Sequence, residues 1–224
     1  MKRVLFLIMM IIPSIVIEEM SGATLDEVLV REGYVDVKAV DPEIIVELMY
    51  AREDNFTGKV MYTTLTRAFL HPAAAKALKK AQDELKSINP GLTLKVCDAA
   101  RPMSVQRIMY EAVRGTSKAR YVSNPANGGG LHNYGLAVDI TIVDSEGKEL
   151  DMGTHVDFLG SKSNIDKEED LVRSGKITLQ ARNNRILLRK VMNAGGWKPL
   201  KSEWWHFNLC SRTQARAKYK RLDF

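Results

Sequence analysis

The stretch GGGLHNYGLAVDIT, residues 128–141, places a glycine-rich loop directly before an apolar run with one aspartate in its middle. The run continues to Val143 and has the length and composition of a buried β-strand. Burial without a partner is costly for a carboxylate, so Asp139 needs a cation beside it. His132, one of four histidines in the chain, lies in the preceding loop. A metal bound by these two residues would satisfy Asp139, and so would a structural ion pair with Arg101 or a lysine.

The segments around this strand alternate between helical and strand-like patterns. We predict helices over Pro72–Ile88, after Pro102, and from about Asn183 to Ala194. We predict strands over Pro42–Tyr50, Leu92–Ala100, Leu136–Val143 and Trp204–Leu209. In the helix after Pro102, the residues expected to face inward are Val105, Ile108, Met109, Ala112 and Val113. This order favours an α+β fold, in which helices pack around a central, mostly antiparallel sheet.

The first 23 residues have the pattern of a secretory signal. Lys2 and Arg3 precede an apolar run from Val4 to Ile17, and small residues follow at 21–23. The run is short for a transmembrane anchor, which needs about 20 apolar residues. We therefore expect an exported protein, periplasmic or in the cell envelope, with one catalytic domain over residues 24–224 and no stable membrane insertion after the signal is cleaved.

The charge and the cysteines give weaker information. The net charge of +6 suits an anionic cell envelope, and an exported protein is not expected to meet nucleic acid. The basic segment RTQARAKYKR near the C-terminus has the composition of a solvated chain end. Export permits a disulfide between Cys97 and Cys210, but both lie in apolar, strand-like runs, which favour small buried free thiols.

A third candidate ligand lies in the segment SEWWHF near the C-terminus. His206 completes a set of two histidines and one carboxylate, which leaves a coordination position open for water, as in catalytic zinc sites. Glu203 precedes it by three residues, and such residues point to opposite faces of a regular strand. If both serve one site, we expect a bend or bulge at Glu203–Trp204, with a regular strand from about Trp205.

Arg101 follows a predicted strand in the segment CDAARP. Pro102 disfavours helical backbone at the preceding residue, so Arg101 should lie at the strand end, where its side chain can overhang a site. A salt bridge to Asp98 is the alternative.

Together these residues resemble the zinc D-Ala-D-Ala dipeptidases, within the wider group of zinc D,D- and L,D-carboxypeptidases. The motif H-x-x-G-x-A-x-D at His132–Asp139 and E-x-x-H at Glu203–His206 carry the resemblance. The segments DNFTG, DAARP, DMGTHVDF and NNRILLRKVMNAGGW are similar to the dipeptidase branch, from about Glu43 to Leu209.

The resemblance implies one zinc ion per chain, bound by His132, Asp139 and His206. It further implies a general base and acid at Glu203, an oxyanion-stabilising residue at Arg101, and a binder of the substrate ammonium at Asp157. Three departures from the family pattern bear on the substrate. Gly130 and Val156 replace the usual serine and phenylalanine, and the segment FLGSKS follows Asp157 where the family commonly has acidic and basic residues.

Three functions remain open at this point. The resemblance favours hydrolysis of a small peptide, D-Ala-D-Ala. Export favours a carboxypeptidase that trims peptidoglycan stem peptides. A non-catalytic, zinc-stabilised envelope-binding domain is the third, although such a protein has no need for both Glu203 and Arg101.

Overall fold

The computed structural model describes residues 22–224, whose strands form one main sheet and one short ribbon. The strands are β1 (Val35–Asp36), β2 (Ile45–Val46), β3 (Phe69–Leu70), β4 (Thr93–Asp98), β5 (Ala137–Val143), β6 (Lys198–Leu200) and β7 (Glu203–Asn208). The main sheet has the order β2-β4-β5-β7-β6, and β1 pairs with β3. Only β2 and β4 run parallel within this sheet, so the predicted, mostly antiparallel arrangement is confirmed.

Helices pack around the sheet, which confirms the α+β class. They are α1 (Leu25–Arg31), α2 (Val37–Val40), α3 (Pro72–Ile88), α4 (Met103–Val113), α5 (Glu168–Arg173), α6 (Leu179–Ala194) and α7 (Arg212–Lys218). Short 3-10 turns lie at Met49–Ala51, Ser117–Tyr121, Pro125–Asn127, Leu131–Tyr134 and Ser161–Ser163. The central strand β5 is buried along its whole length and anchors the core.

The long helices begin and end where the sequence chemistry directs. α3 has Pro72 in its first turn, and its buried residues Ala74, Ala77, Leu78, Ala81 and Leu85 fall on one face. α6 begins at Leu179, four residues before the predicted start, because the Thr178 hydroxyl accepts a hydrogen bond from the Ala181 N–H and caps the helix. It ends at Gly195–Gly196, as predicted, and Gly196 adopts a φ of 92°.

Two sequence predictions about burial and length are wrong. Within Pro42–Tyr50 only Ile45–Val46 is a strand, because the chain turns into the 3-10 segment that starts at Met49. In α4, Ile108 is 52% exposed and Ala112 is also exposed. Of the five residues predicted to face inward, Val105, Met109 and Val113, spaced four residues apart, are buried.

Residues 1–21 lie outside the described part of the chain, so almost all of the predicted signal lies there too. The first described helix, α1, is capped by Thr24 through a reciprocal pair of hydrogen bonds with Glu27. Within residues 22–224, no helix is long and apolar enough to span a bilayer.

Both cysteines are free thiols in this structure, as expected from the apolar runs in which they lie, and they do not form a disulfide. Cys97 is buried, which raises the pKa of its thiol well above the usual value, whereas Cys210 is partly exposed.

Candidate metal centre and its surroundings

Three side chains of the site lie in one row across the sheet. Asp139 on β5 pairs with Asp98 on β4 and with His206 on β7. Directly opposed residues of antiparallel strands point to the same face. The sheet therefore presents Asp98, Asp139 and His206 together on one side.

A β-bulge at Cys97 produces this alignment. Val96 pairs with Ile140, but the next residue of β5 in the ladder, Asp139, pairs with Asp98, so Cys97 has no partner of its own. The extra residue shifts the alternation of β4 by one, and this shift turns Asp98 toward the face that carries Asp139.

His132 reaches the same point from the 3-10 turn Leu131–Tyr134 that precedes β5. The Arg101 N–H donates to the His132 carbonyl at 2.9 Å, which fixes the turn against the end of β4. Gly135 ends the turn with a φ of 62°, and a Cβ there would lie 2.4 Å from the Tyr34 ring. The turn therefore requires glycine at this position for both conformation and space.

Three potential ligand atoms converge at this point. Asp139 Oδ1 lies 2.9 Å from His206 Nδ1 and 3.4 Å from His132 Nε2. The two imidazole nitrogens are 3.2 Å apart. All three atoms lie within 4.8 Å of one another, which is the spacing of a shared metal ion.

In each imidazole, the far nitrogen, which is the one not among the three converging atoms, is held by an oxygen acceptor. His132 Nδ1 lies 2.7 Å from the Ala99 carbonyl, and His206 Nε2 lies 3.0 Å from Asn208 Oδ1. Each far nitrogen must carry its proton to donate to these oxygens, so the near nitrogens present lone pairs. Two lone pairs and a carboxylate then face one another, and a cation between them resolves the repulsion. The donor set and its surroundings fit a divalent metal.

Arg101 is anchored by a buried carboxylate. Its Nε donates to Asp98 Oδ2 at 3.0 Å, and the Tyr62 hydroxyl donates to Asp98 Oδ1 at 2.6 Å. Burial alone would lower the pKa of Arg101, but Asp98 and Tyr50 raise it well above its usual value, so the guanidinium stays charged. The salt bridge to Asp98 thus exists, and Arg101 Nη2 also approaches Asp139 Oδ2 to 3.7 Å.

Glu203 faces the same cavity as His206, which requires the expected break in β7. Pro199 pairs with Phe207, but the next residue of β6, Leu200, pairs with Glu203. This register shift turns Glu203 inward, although the strand already begins at Glu203 rather than near Trp205. Burial raises the pKa of Glu203 to about 7, against the lowering effect of His206. The neighbouring side chains of Trp204, Trp205 and Phe207 belong to the core.

Asp157 lies on a loop and adopts a φ of 71°, an uncommon value for a residue other than glycine. The Tyr50 hydroxyl donates to one of its oxygens at 3.0 Å and the Phe56 N–H donates to the other at 2.9 Å. Burial raises the pKa of Asp157 to about 7, although the Phe56 hydrogen bond opposes the shift.

Helix α6 holds the loop that carries Asp157. The buried Arg185 donates to the carbonyls of Met152 at 2.7 Å and Lys162 at 3.0 Å, one on each side of Asp157. Trp204 Nε1 also donates to the Thr154 hydroxyl at 2.8 Å. The loop is thereby fixed to the segment that carries Glu203.

We expect the substitution Asp157→Asn to stabilise the protein at pH 8 but not at pH 4.5. The pKa of Asp157 is about 7 in the fold and about 3.9 in an unfolded chain. Between these values the unfolded state binds fewer protons, so the wild type loses up to a few kcal/mol of stability as the pH rises from ~4 to ~7. Urea unfolding of the metal-free protein at both pH values measures the difference.

The exposed Asp166 provides the control for this prediction, because Asp166→Asn removes the same charge from the surface. Its effect on the free energy of unfolding should be the same at both pH values. An equal effect of Asp157→Asn at pH 4.5 and pH 8 would contradict a raised pKa.

All six residues singled out in the sequence line one cavity of about 330 Å³. They are Arg101, His132, Asp139, Asp157, Glu203 and His206. Sequence reasoning missed Asn208 and Tyr50, which hold His206 and Asp157. Asn208 falls two residues after His206, on the same face of the strand, and this spacing was the available signal. Tyr50 is 107 residues from Asp157 and left no such signal.

A buried histidine, aspartate and histidine group beside a glutamate and an arginine defines a metallopeptidase class of site. The D-ala-D-ala dipeptidase family matches this chain over residues 30–222, and the chain belongs to that family of metallopeptidases. The enzyme is therefore a hydrolase.

Several similar proteins carry the name of this family. The D-alanyl-D-alanine dipeptidase of Escherichia coli strain K12 is 34% identical over 175 residues, which cover 78% of this chain and 83% of that protein. The D-alanyl-D-alanine dipeptidase of Enterococcus faecalis is 30% identical over 71% of this chain and 83% of that protein. The D-alanyl-D-alanine dipeptidase of Synechocystis is 28% identical over 62% of this chain and 68% of that protein.

Proposed function

We propose that this protein is a zinc-dependent dipeptidase that hydrolyses D-alanyl-D-alanine, with one zinc ion bound by His132, Asp139 and His206. The main support for this proposal is that three acceptor atoms converge in a cavity that is also lined by Glu203 and Arg101. The family membership and the names of the relatives support the choice of substrate.

Zinc in such a site supplies a bound water of lowered pKa and polarises the substrate carbonyl. Glu203 is the general base and acid of the proposed reaction. Its carboxylate accepts a proton from the attacking water and donates it to the leaving amine. Burial raises the pKa of Glu203 in the metal-free fold, which makes its carboxylate a stronger proton acceptor than an exposed glutamate.

Arg101 stabilises the negative charge that develops on the carbonyl oxygen. Its guanidinium remains charged and is held in place by Asp98 and by Gln106 Oε1, which accepts from Nη1 at 3.1 Å. A charge that is already oriented needs no reorganisation during the reaction, and this is the main advantage of such a group.

Asp157 binds the ammonium group of the substrate. An ammonium beside this carboxylate favours its ionised form and offsets the effect of burial. Peptides that lack a free amine near the scissile bond leave Asp157 buried without a charged partner, so the residue selects short peptides.

The proposed location is outside the cytoplasm, in the periplasm or cell envelope. The secretory pattern of residues 1–23 supports it, and the capped start of the fold at Thr24 follows directly after that segment.

A substrate panel on the zinc-loaded protein tests the proposed function. We expect hydrolysis of D-alanyl-D-alanine, about 10- to 100-fold weaker hydrolysis of its N-acetyl derivative, and loss of activity on chelation with recovery on adding zinc. Preference for a stem pentapeptide would instead favour the carboxypeptidase, to which export also points. A zinc-loaded protein that cleaves none of these peptides would favour the binding domain.

A further inference from the structure

The cavity wall carries a cation that the proposed reaction does not use. Arg212, the first residue of α7, lines the cavity and is exposed. Within residues 22–224 its guanidinium forms no ion pair, and its Nη2 donates to the Ser123 hydroxyl at 2.8 Å. Among the residues that line the cavity, the other cation is Arg101, which is already paired with Asp98 and lies near Asp139. Arg212 therefore leaves positive charge available to an anion that enters the cavity.

Ser123 brings a hydroxyl close to the metal-binding turn. A Cβ added at Gly130 would lie 2.7 Å from Ser123 Oγ, so this hydroxyl fills the space that a side chain at position 130 would need. Gln106 Nε2 donates to the Ser123 carbonyl at 2.8 Å and fixes its backbone. Because Ser123 Oγ accepts from Arg212, its own proton is free for another acceptor.

A chain of contacts through Arg101 connects the pair of Arg212 and Ser123 to Asp157. On one side Arg101 Nη1 donates to Gln106, which holds Ser123. On the other its guanidinium lies 5.1 Å from the centre of the Tyr50 ring, and Tyr50 bonds to Asp157. These contacts therefore connect Asp157, whose carboxylate can bind a cation, through Arg101 to Arg212, whose guanidinium can bind an anion.

We propose that Arg212 and Ser123 bind the C-terminal carboxylate of the dipeptide substrate. A dipeptide carries an ammonium and a carboxylate on either side of its single peptide bond, and the cavity offers a partner for each. The guanidinium presents N–H donors in the geometry of a carboxylate, and the Ser123 hydroxyl adds a further donor. This inference rests on the proposed function and names the residues that require a free carboxylate.

The test measures binding separately from hydrolysis. Calorimetry on the zinc-loaded full chain with Glu203→Gln, which prevents turnover, compares D-alanyl-D-alanine with its C-terminal amide. We expect the dipeptide to bind about tenfold more tightly than the amide. Adding Arg212→Gln should remove this difference by weakening only the dipeptide, and Ser123→Ala should reduce it. Lys218→Gln, which removes the same charge from the far end of α7, should leave both affinities unchanged.

The carboxylate site would be overturned if Arg212→Gln lowered the affinity for both ligands equally, or if it left the affinity for the dipeptide unchanged. A failure of both ligands to bind would overturn it too. Hydrolysis by the wild-type protein is scored independently. A protein that distinguishes the two ligands through Arg212 but cleaves neither would retain this inference and contradict the proposed function. A protein that cleaves the dipeptide but binds it equally well without Arg212 would support the proposed function and contradict this inference.

Discussion

Glu203→Gln is expected to lower kcat by about three orders of magnitude, which is within the range of contributions from a positioned general base and acid. The substitution keeps the size of the side chain but removes its ability to accept a proton. Glu203 is 7% exposed, so the amide remains in the same cavity position. Because Glu203 is not among the proposed ligands, the zinc content should not change. Steady-state kinetics on D-alanyl-D-alanine, together with elemental analysis, measure both quantities.

The exposed Glu146 provides the matched control, since Glu146→Gln makes the same chemical change at the surface. It should retain the kcat of the wild type. Wild-type turnover by Glu203→Gln would exclude the base assignment. Loss of zinc together with activity would instead assign Glu203 to the metal.

The second large effect is expected from His132→Ala, which should release the zinc and abolish hydrolysis. The substitution removes one of three ligands, so affinity should fall by more than the ~10- to 100-fold typical of losing an outer partner of a ligand. The loss can be followed without an activity assay. Zinc should raise the melting temperature of the wild type, because a ligand of the folded state stabilises it, and should have no such effect on the variant.

His155→Ala separates the loss of a ligand from the loss of any histidine. His155 is exposed and lies outside the group of three converging residues. This variant should retain stoichiometric zinc and the zinc-dependent rise in melting temperature. A His132→Ala protein that binds zinc as tightly as the wild type would rule out the proposed ligand set.

The main features of the fold were predictable because they depend on local patterns. The apolar run around Asp139 predicted β5, and the helical spacing of Pro72–Ile88 predicted α3. The inward turn of Glu203 was predictable too, because a strand with regular alternation cannot direct Glu203 and His206 to one face. The roles of the site residues stay predictions until the variants are measured.

Other features depend on contacts between distant segments, and no local pattern encodes them. The bulge at Cys97 is visible only in the pairing of β4 with β5. The exposure of Ile108 depends on what packs against α4, and periodicity alone does not give the width of the buried stripe. Arg185 carries a charge and is nevertheless fully buried, because the carbonyls of Met152 and Lys162, distant in sequence, accept its hydrogen bonds.

The row of Asp98, Asp139 and His206 across the sheet has a consequence for how this enzyme can change over time. Each of these residues depends on strand register. An insertion or deletion in β5 or β7 would therefore displace a proposed metal ligand, and one in β4 would displace the carboxylate that anchors Arg101. Asp157, Ser123 and Arg212 instead lie outside the sheet, in loops or at the start of a short helix. If these residues bind the peptide ends as proposed, changes in their segments would alter which ends are accepted and leave the strands of the sheet intact. Substrate preference is therefore free to diverge among related enzymes that keep one chemistry.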